Sequence, residues 1–144
     1  MARVKIQLPP RFAFGCKIPV RITDLNYGGH VGNDAILSII HEARMQYLHQ
    51  FGYTEMNLAG AGMIMADVAI EFKSELFYGD TVTASLVAGD ISNIGFDLFY
   101  KLAKQENGVQ KTVALAKTAM ICFDYEKKKI VSLPEEARLK LTAL

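Results

Sequence analysis

The segment DLNYGGHVGND, Asp24 to Asp34, gathers residue types that base-assisted attack of water on a carbonyl requires. A histidine titrates near neutrality, so His30 can take and give a proton there. Asp24 and Asp34 are carboxylates able to hold or activate a water. Asp24 and Asn26 point to one side of an extended backbone, about 7 Å apart. Asn26 is an uncharged amide; it can orient a water or a carbonyl but cannot serve as general base or nucleophile. Gly28, Gly29 and Gly32 let the backbone bend tightly and a ligand approach closely. Downstream lies a helix whose first-turn N–H groups and positive dipole end suit an oxyanion. Glu42 sits two turns further along it. The same residues also admit a plainer account, in which a glycine-rich lead enters a helix capped by Asn33 or Asp34 and His30 only orders the loop.

The elements that must hold this loop are legible on both sides. Phe12, Phe14, Cys16, Ile18, Val20 and Ile22 alternate on one face of a strand, and Pro19 makes it an edge strand. In AILSIIHEARMQYLHQFGY, residues Ile36, Ile39, Ile40, Ala43 and Tyr47 recur at helical spacing, Leu37 and Leu48 widen the stripe, and Gly52 ends it. After NLAGAGM, strands are expected at Met63–Phe72, Thr81–Val87, Phe96–Ala103 and Thr112–Phe123, with turns at Phe77–Asp80 and Asn107-Gly108. Pro134 opens a short helix, EEARLKL. The order is a strand, one long buried helix, then about four strands in antiparallel succession, an α+β layer architecture. One helix against five strands leaves a sheet edge and an outer face to cover, which predicts a homodimer.

At 144 residues the chain is read as one domain, 1–144, large enough for its own core. A net charge of +1 without long charge runs gives no nucleic-acid footprint, and Lys127, Lys128 and Lys129 fit a solvated turn. Cys16 and Cys122 stand far apart without metal-ligand spacing and read as reduced, buried thiols. No metal or cofactor is implied. The N-terminus lacks a signal-peptide pattern and no apolar run approaches the ~20 residues of a membrane span, so a cytoplasmic protein with no membrane partner is expected.

The motifs together resemble the hotdog-fold thioesterases of the 4-hydroxybenzoyl-CoA thioesterase-like group. The resemblance rests on VRITDLNYGGHVGN at Val20 to Asn33, EAR at Glu42 to Arg44, FYGD at Phe77 to Asp80, and CFDYEKKKIVSLPEEAR ending at Arg138. It implies a long central helix wrapped by a five- to six-stranded antiparallel sheet, with a short C-terminal helix. It further implies hydrolysis of acyl-CoA or acyl-carrier-protein thioesters at a dimer-interface site, without a cofactor. Gly29, Val31, Gly32 and Asn33 would then line the substrate site, the N–H near Asn33 polarising the thioester carbonyl.

Asn26 departs from this group, whose carboxylate nucleophile or base matches that position. The attack must then fall to Asp24, Asp34, Glu42 or His30; related plant-type acyl-carrier-protein thioesterases have a His matching His30. Asp34 equally caps the helix, and Glu42 equally pairs an Arg across the dimer. His41 and His49 read as structural. The departure keeps a second function open, a hotdog protein that binds acyl thioesters without cleaving them, with a dehydratase as a weaker third. Phe77, Tyr78, Met63 and Met65 either line an acyl tunnel or belong to the core. Acyl chain, carrier, and dimer versus homotetramer stay open.

Overall fold

The structure, a computed structural model, describes residues 1–143. Strands β1 (Phe14–Pro19), β2 (Gly62–Phe72), β3 (Thr81–Gly89), β4 (Gly95–Glu106) and β5 (Val109–Asp124) form one sheet in the order β1-β3-β4-β5-β2, and β6 (Lys129–Ile130) adds a short pair to β5. Every pairing is antiparallel. Helix α1 (Asn33–His49) shares one core with this sheet, and α2 (Glu135–Thr142) follows Pro134 as expected.

The two periodicities meet in that core. Val82, Ala84 and Leu86 of β3, Leu98, Tyr100 and Leu102 of β4, and Ala114, Ala116, Met120 and Cys122 of β5 are the alternate, buried positions. Ile36, Ile39, Ile40, Ala43, Tyr47 and Leu48 are the helical ones, none more than 4% exposed. Burying each large side chain is worth about 1.5–3 kcal/mol, so this contact dominates the stability of α1. The Asn107-Gly108 hairpin forms as read, both residues having positive φ, 53° and 78°.

Three expectations are corrected. The first strand ends at Pro19, because Ile22–Asp24 turns into one turn of 3-10 helix; Ile22 thereby leaves the buried face and is exposed. Leu37 does not join the buried stripe but stays on the outside of α1, beside Met65 of β2. The strands also do not pair in simple succession, since β2 pairs β5 at one end of the sheet while β3 lies beside β1 at the other. The β2–β3 connection must therefore cross the end of the sheet, and that crossing pairs with the loop before α1.

Edge strand β1 carries Pro19 where no ladder bond is lost, while the outer edge of β2 has no strand partner among the described residues. The outer sheet face is partly covered by the chain's own N-terminal arm. Val4 and Ile6 line a groove there together with Ala69, Phe99 and Lys117, and the Ile6 N–H donates to Glu71 Oε1 at 2.8 Å.

Candidate active site

The loop before α1 is fixed largely by its own backbone. The Asn26 N–H donates to the His30 carbonyl at 2.8 Å, and the Gly29 N–H to the Asn26 carbonyl at 3.1 Å. Asn26 Oδ1 accepts the Gly28 N–H at 2.9 Å, an Asx turn that leaves its Nδ2 donors free. Gly29, at φ +84°, is the one residue of the loop in the left-handed region, which explains its type. Asp24 is buried, with Oδ2 accepting the Arg21 N–H at 2.8 Å and Oδ1 3.3 Å from Arg21 Nη2. Its carboxylate holds the turn into the loop.

Asn26 and His30 meet over Gly28. A Cβ on that glycine would stand 3.2 Å from Asn26 Oδ1 and 3.6 Å from His30 Nε2. On the other side, a Cβ on Gly32 would stand 2.5 Å from Asp34 Oδ1 and 3.7 Å from the Asn26 Cβ. The loop thus sets Asn26 centrally, with the imidazole and the Asp34 carboxylate flanking it.

The N-terminus of α1 is open. Gly32 occupies the N-cap position, and no side chain caps the helix, neither Asn33 nor Asp34. The first helical bond runs from the Ile36 N–H to the Gly32 carbonyl at 3.1 Å, so the Asn33, Asp34 and Ala35 N–H groups precede it. These are the donors that a developing oxyanion would meet. Val31 is buried and belongs to the core, while Asn33 is exposed at the helix entry.

The opposite wall comes from the β2–β3 crossing, which the sequence reading did not place here. The Val31 N–H donates to the Leu76 carbonyl at 2.9 Å, and His30 pairs with Phe77, whose ring meets the imidazole edge-on at 6.5 Å. A bulge in β5 leaves the Val113 carbonyl to accept both the Lys73 N–H, at 2.8 Å, and the Ser74 N–H, at 3.1 Å. Buried Lys104 donates to the Glu75 carbonyl at 2.8 Å and to Asp80 Oδ2 at 3.1 Å, with its ammonium 5.2 Å from the centre of the Phe77 ring. Held from all these sides, the crossing presents the Glu75 carboxylate 3.9 Å from His30 Nε2. His30 Nδ1 lies 3.4 Å from the Val31 carbonyl oxygen. Both side chains keep access to solvent, 36% exposed for His30 and 63% for Glu75. Between the walls is a cleft of about 230 Å³ lined by His30, Val31, Asn33, Phe72, Ser74 and Glu75 among others.

Glu42 stands apart from this cleft, accepting a bond from Gln46 Nε2 at 2.9 Å in a groove with Phe14, Met45 and His49. His41 pairs with Glu55, which also faces buried Arg44; Arg44 Nη1 in turn donates to the Tyr100 hydroxyl at 3.1 Å. Burial pushes the Cys122 thiol up to about 11, and burial followed by the charge of Glu42 raises that of Cys16, so neither is a thiolate nucleophile near neutrality.

Sequence reasoning missed Glu75 and Lys104. Glu75 lies two residues before the FYGD turn that the sequence did mark, but only the sheet order shows that this turn reaches His30. Lys104 falls at an inward position of β4, and a lysine there is the signal that something buried must pair with it.

A sequence model of the thioesterase-like superfamily matches residues 20–141, most of the chain. The chain belongs to the thioesterase-like superfamily. A 1,4-dihydroxy-2-naphthoyl-CoA hydrolase of Microcystis aeruginosa is 29% identical over 122 residues, covering 83% of this chain and 86% of that protein. Among solved structures, a 1,4-dihydroxy-2-naphthoyl-CoA thioesterase from Synechocystis superposes with a TM-score of 0.80 at 21% identity, covering 91% of this chain and 96% of its own. The 4-hydroxybenzoyl-CoA thioesterase of Pseudomonas sp. strain CBS-3 gives a TM-score of 0.77 at 14% identity, covering 91% and 99%. These structural likenesses are likenesses of fold, and the fold of this superfamily member is the hotdog fold.

Proposed function

We propose that this protein hydrolyses acyl-CoA or acyl-carrier-protein thioesters, with His30 as the base that activates water. The observation that carries this reading is the meeting of His30, Asn26 and Glu75 at the uncapped N-terminus of α1. With Nδ1 toward the Val31 carbonyl, the proton belongs on Nδ1 and Nε2 is left free to accept one. A water on Nε2 attacks the carbonyl carbon as its proton passes to the imidazole. The carbonyl oxygen gains charge against the first-turn N–H groups of α1, and Glu75 offsets the charge of the imidazolium. Collapse breaks the C–S bond, and the imidazolium returns its proton to the departing thiolate. Asn26 donates from Nδ2 to the water or the thioester, a role an amide fills where a carboxylate nucleophile is absent. Asp34 is the second carboxylate within the loop, able to hold the same water.

The working unit is a homodimer joined along the free edge of β2. That edge exposes Met65 and Val68 and adjoins exposed Leu37 of α1. A long apolar edge without proline or lysine invites a partner strand.

The test is free-thiol release from a panel of short, medium, long and aromatic acyl-CoAs, with His30→Ala, Asp34→Ala and Asn26→Asp beside the native protein. Native turnover that falls at least ~100-fold in His30→Ala supports the assignment. Folded His30→Ala with native turnover refutes it. Absence of native turnover together with activity in Asn26→Asp replaces hydrolysis by acyl-thioester binding as the function.

A further inference from the structure

The His30 cleft and a larger cleft lie at opposite ends of the same strand. The His30 cleft includes Phe72 and Lys73, at the C-terminal end of β2. The other, about 680 Å³, includes Ala61 and Gly62 at its N-terminal end, with Met56, Gly60 and Tyr125. Any two-fold pairing of β2 with a second copy runs the strands antiparallel and sets the start of one against the end of the other. Such a pairing would bring one protomer's His30 cleft beside its partner's larger cleft. Alone, about 230 Å³ falls below the ~300–1,000 Å³ usual for a small-molecule pocket, so the His30 cleft by itself is too small for an acyl group and its pantetheine arm.

The larger cleft has one rigid aromatic wall. The Tyr125 ring lies on Gly62 so closely that a Cβ there would stand 2.7 Å from it, and its hydroxyl donates to the Met63 carbonyl at 3.0 Å. Its ring also meets Phe123 edge-on at 5.3 Å, yet Tyr125 remains 44% exposed. A tyrosine fixed at its hydroxyl and along one face, and open on the rest, is a binding platform that loses little freedom when a ligand settles on it.

We infer that Tyr125 acts in trans, forming the wall against which the acyl–pantetheine arm lies when the thioester is held at the partner's His30. This rests on the proposed hydrolase and its β2-edge dimer, and it adds a specificity-determining residue that neither requires.

Mixed dimers test it. Tyr125→Leu should raise KM for the best acyl-CoA about tenfold with kcat little changed, and Tyr125→Phe should keep most of the native KM. Differently tagged His30→Gln and Tyr125→Leu chains are co-expressed and the heterodimer is isolated by both tags. If Tyr125 serves the partner's site, one site carries both defects and the other is intact, so the heterodimer regains about half the native rate at low substrate. If each site is built within one chain, both sites stay defective and nothing is regained, which overturns the inference while leaving the hydrolase intact. Native kinetics in Tyr125→Leu, or a native protein that is a monomer by light scattering, overturns it as well. Should the native protein release no thiol, the hydrolase reading fails separately, and calorimetry with a non-hydrolysable acyl-CoA thioether decides: tenfold weaker binding by folded Tyr125→Leu supports the platform, and unchanged binding removes it.

Discussion

Lys104→Met removes one ammonium and keeps most of the apolar stem, so it isolates what that charge does. The side chain is 6% exposed and its partner Asp80 27%. Its donations to the Glu75 carbonyl and Asp80 Oδ2, at 2.8 and 3.1 Å, are charge-assisted bonds worth about 1.5–3 kcal/mol each in a buried setting. Water reaching Asp80 recovers part of that, and the Met side chain recovers more by burial. The net loss expected is about 3 kcal/mol, near the lower bound for breaking a buried pair by deleting one partner. For a chain of this length that lowers Tm by about 9 °C. Thiol release should fall further than stability alone accounts for, because the Glu75 carbonyl loses its anchor and the Glu75 carboxylate is no longer held at His30. Urea denaturation and steady-state kinetics on the same preparation separate the two effects. A Tm within 2 °C of native would refute the energetic argument. A large Tm loss with native kcat at a temperature where the variant is fully folded would refute the claim that this lysine positions the site.

Other perturbations probe the remaining links. Gly32→Ala is compatible with the backbone at φ −71°, but its Cβ would displace the Asp34 carboxylate, so thiol release should drop several-fold while the urea midpoint barely moves. Unchanged turnover would remove Asp34 from the mechanism. Gly108→Ala, at φ +78° in the β4–β5 hairpin, should cost about 1 kcal/mol in urea denaturation and leave turnover alone. Burial, followed by the neighbouring Tyr100, pushes the Tyr47 phenol up to about 12 from the ordinary 10. The folded state therefore holds that proton more tightly than the unfolded state. The stability it contributes is complete below pH 10 and is lost as pH rises toward 12, up to about 3 kcal/mol for a shift of this size. Tyr47→Phe should flatten that alkaline decline in urea midpoints; an equally steep decline in the variant would count against it.

Local periodicity made most of the fold readable, because the forces that set it act over a few residues. Ile36, Ile39, Ile40, Ala43 and Tyr47 announce a helix face wherever the helix ends up. Asn107-Gly108 requires positive φ at both residues whatever it connects. Ile22 shows the limit, since a period-2 pattern continues on paper through a turn that the carboxylate of Asp24 closes onto the Arg21 N–H. The site was legible on one side only. Asn26, His30 and Asp34 share one loop, so their proximity follows from the chain itself. Glu75 reaches His30 from more than forty residues away because β2 pairs β5 rather than β3, a choice made by long-range packing and invisible to spacing. Lys104 belongs to the same class: it lies just past the strand read as Phe96–Ala103, and both its inward position and its purpose needed the longer β4 and the crossing loop.

The question of cover then has a narrower answer than the strand count suggested. Two surfaces of a single-helix sheet need shielding, its outer face and its open edge. The arm meets part of the first need, with Val4 and Ile6 on the outer face and the Ile6 N–H held by Glu71. Lys73, followed by that same N–H, holds the Glu71 carboxyl below the usual carboxylate range, so the latch is a charged acceptor near neutral pH. Where the arm lies, a second sheet would have to displace it before stacking back to back. The edge of β2 has no such guard along Met65 and Val68, and hydrogen-bonding groups there cannot be satisfied by an arm that runs over the face. A second copy would satisfy them by a two-fold operation that leaves no further edge on β2, which would close the assembly along that strand instead of propagating it. In the proposed dimer the same operation would carry the start of one β2 to the end of the other, so the pairing that shields the edge would also complete the cleft at His30.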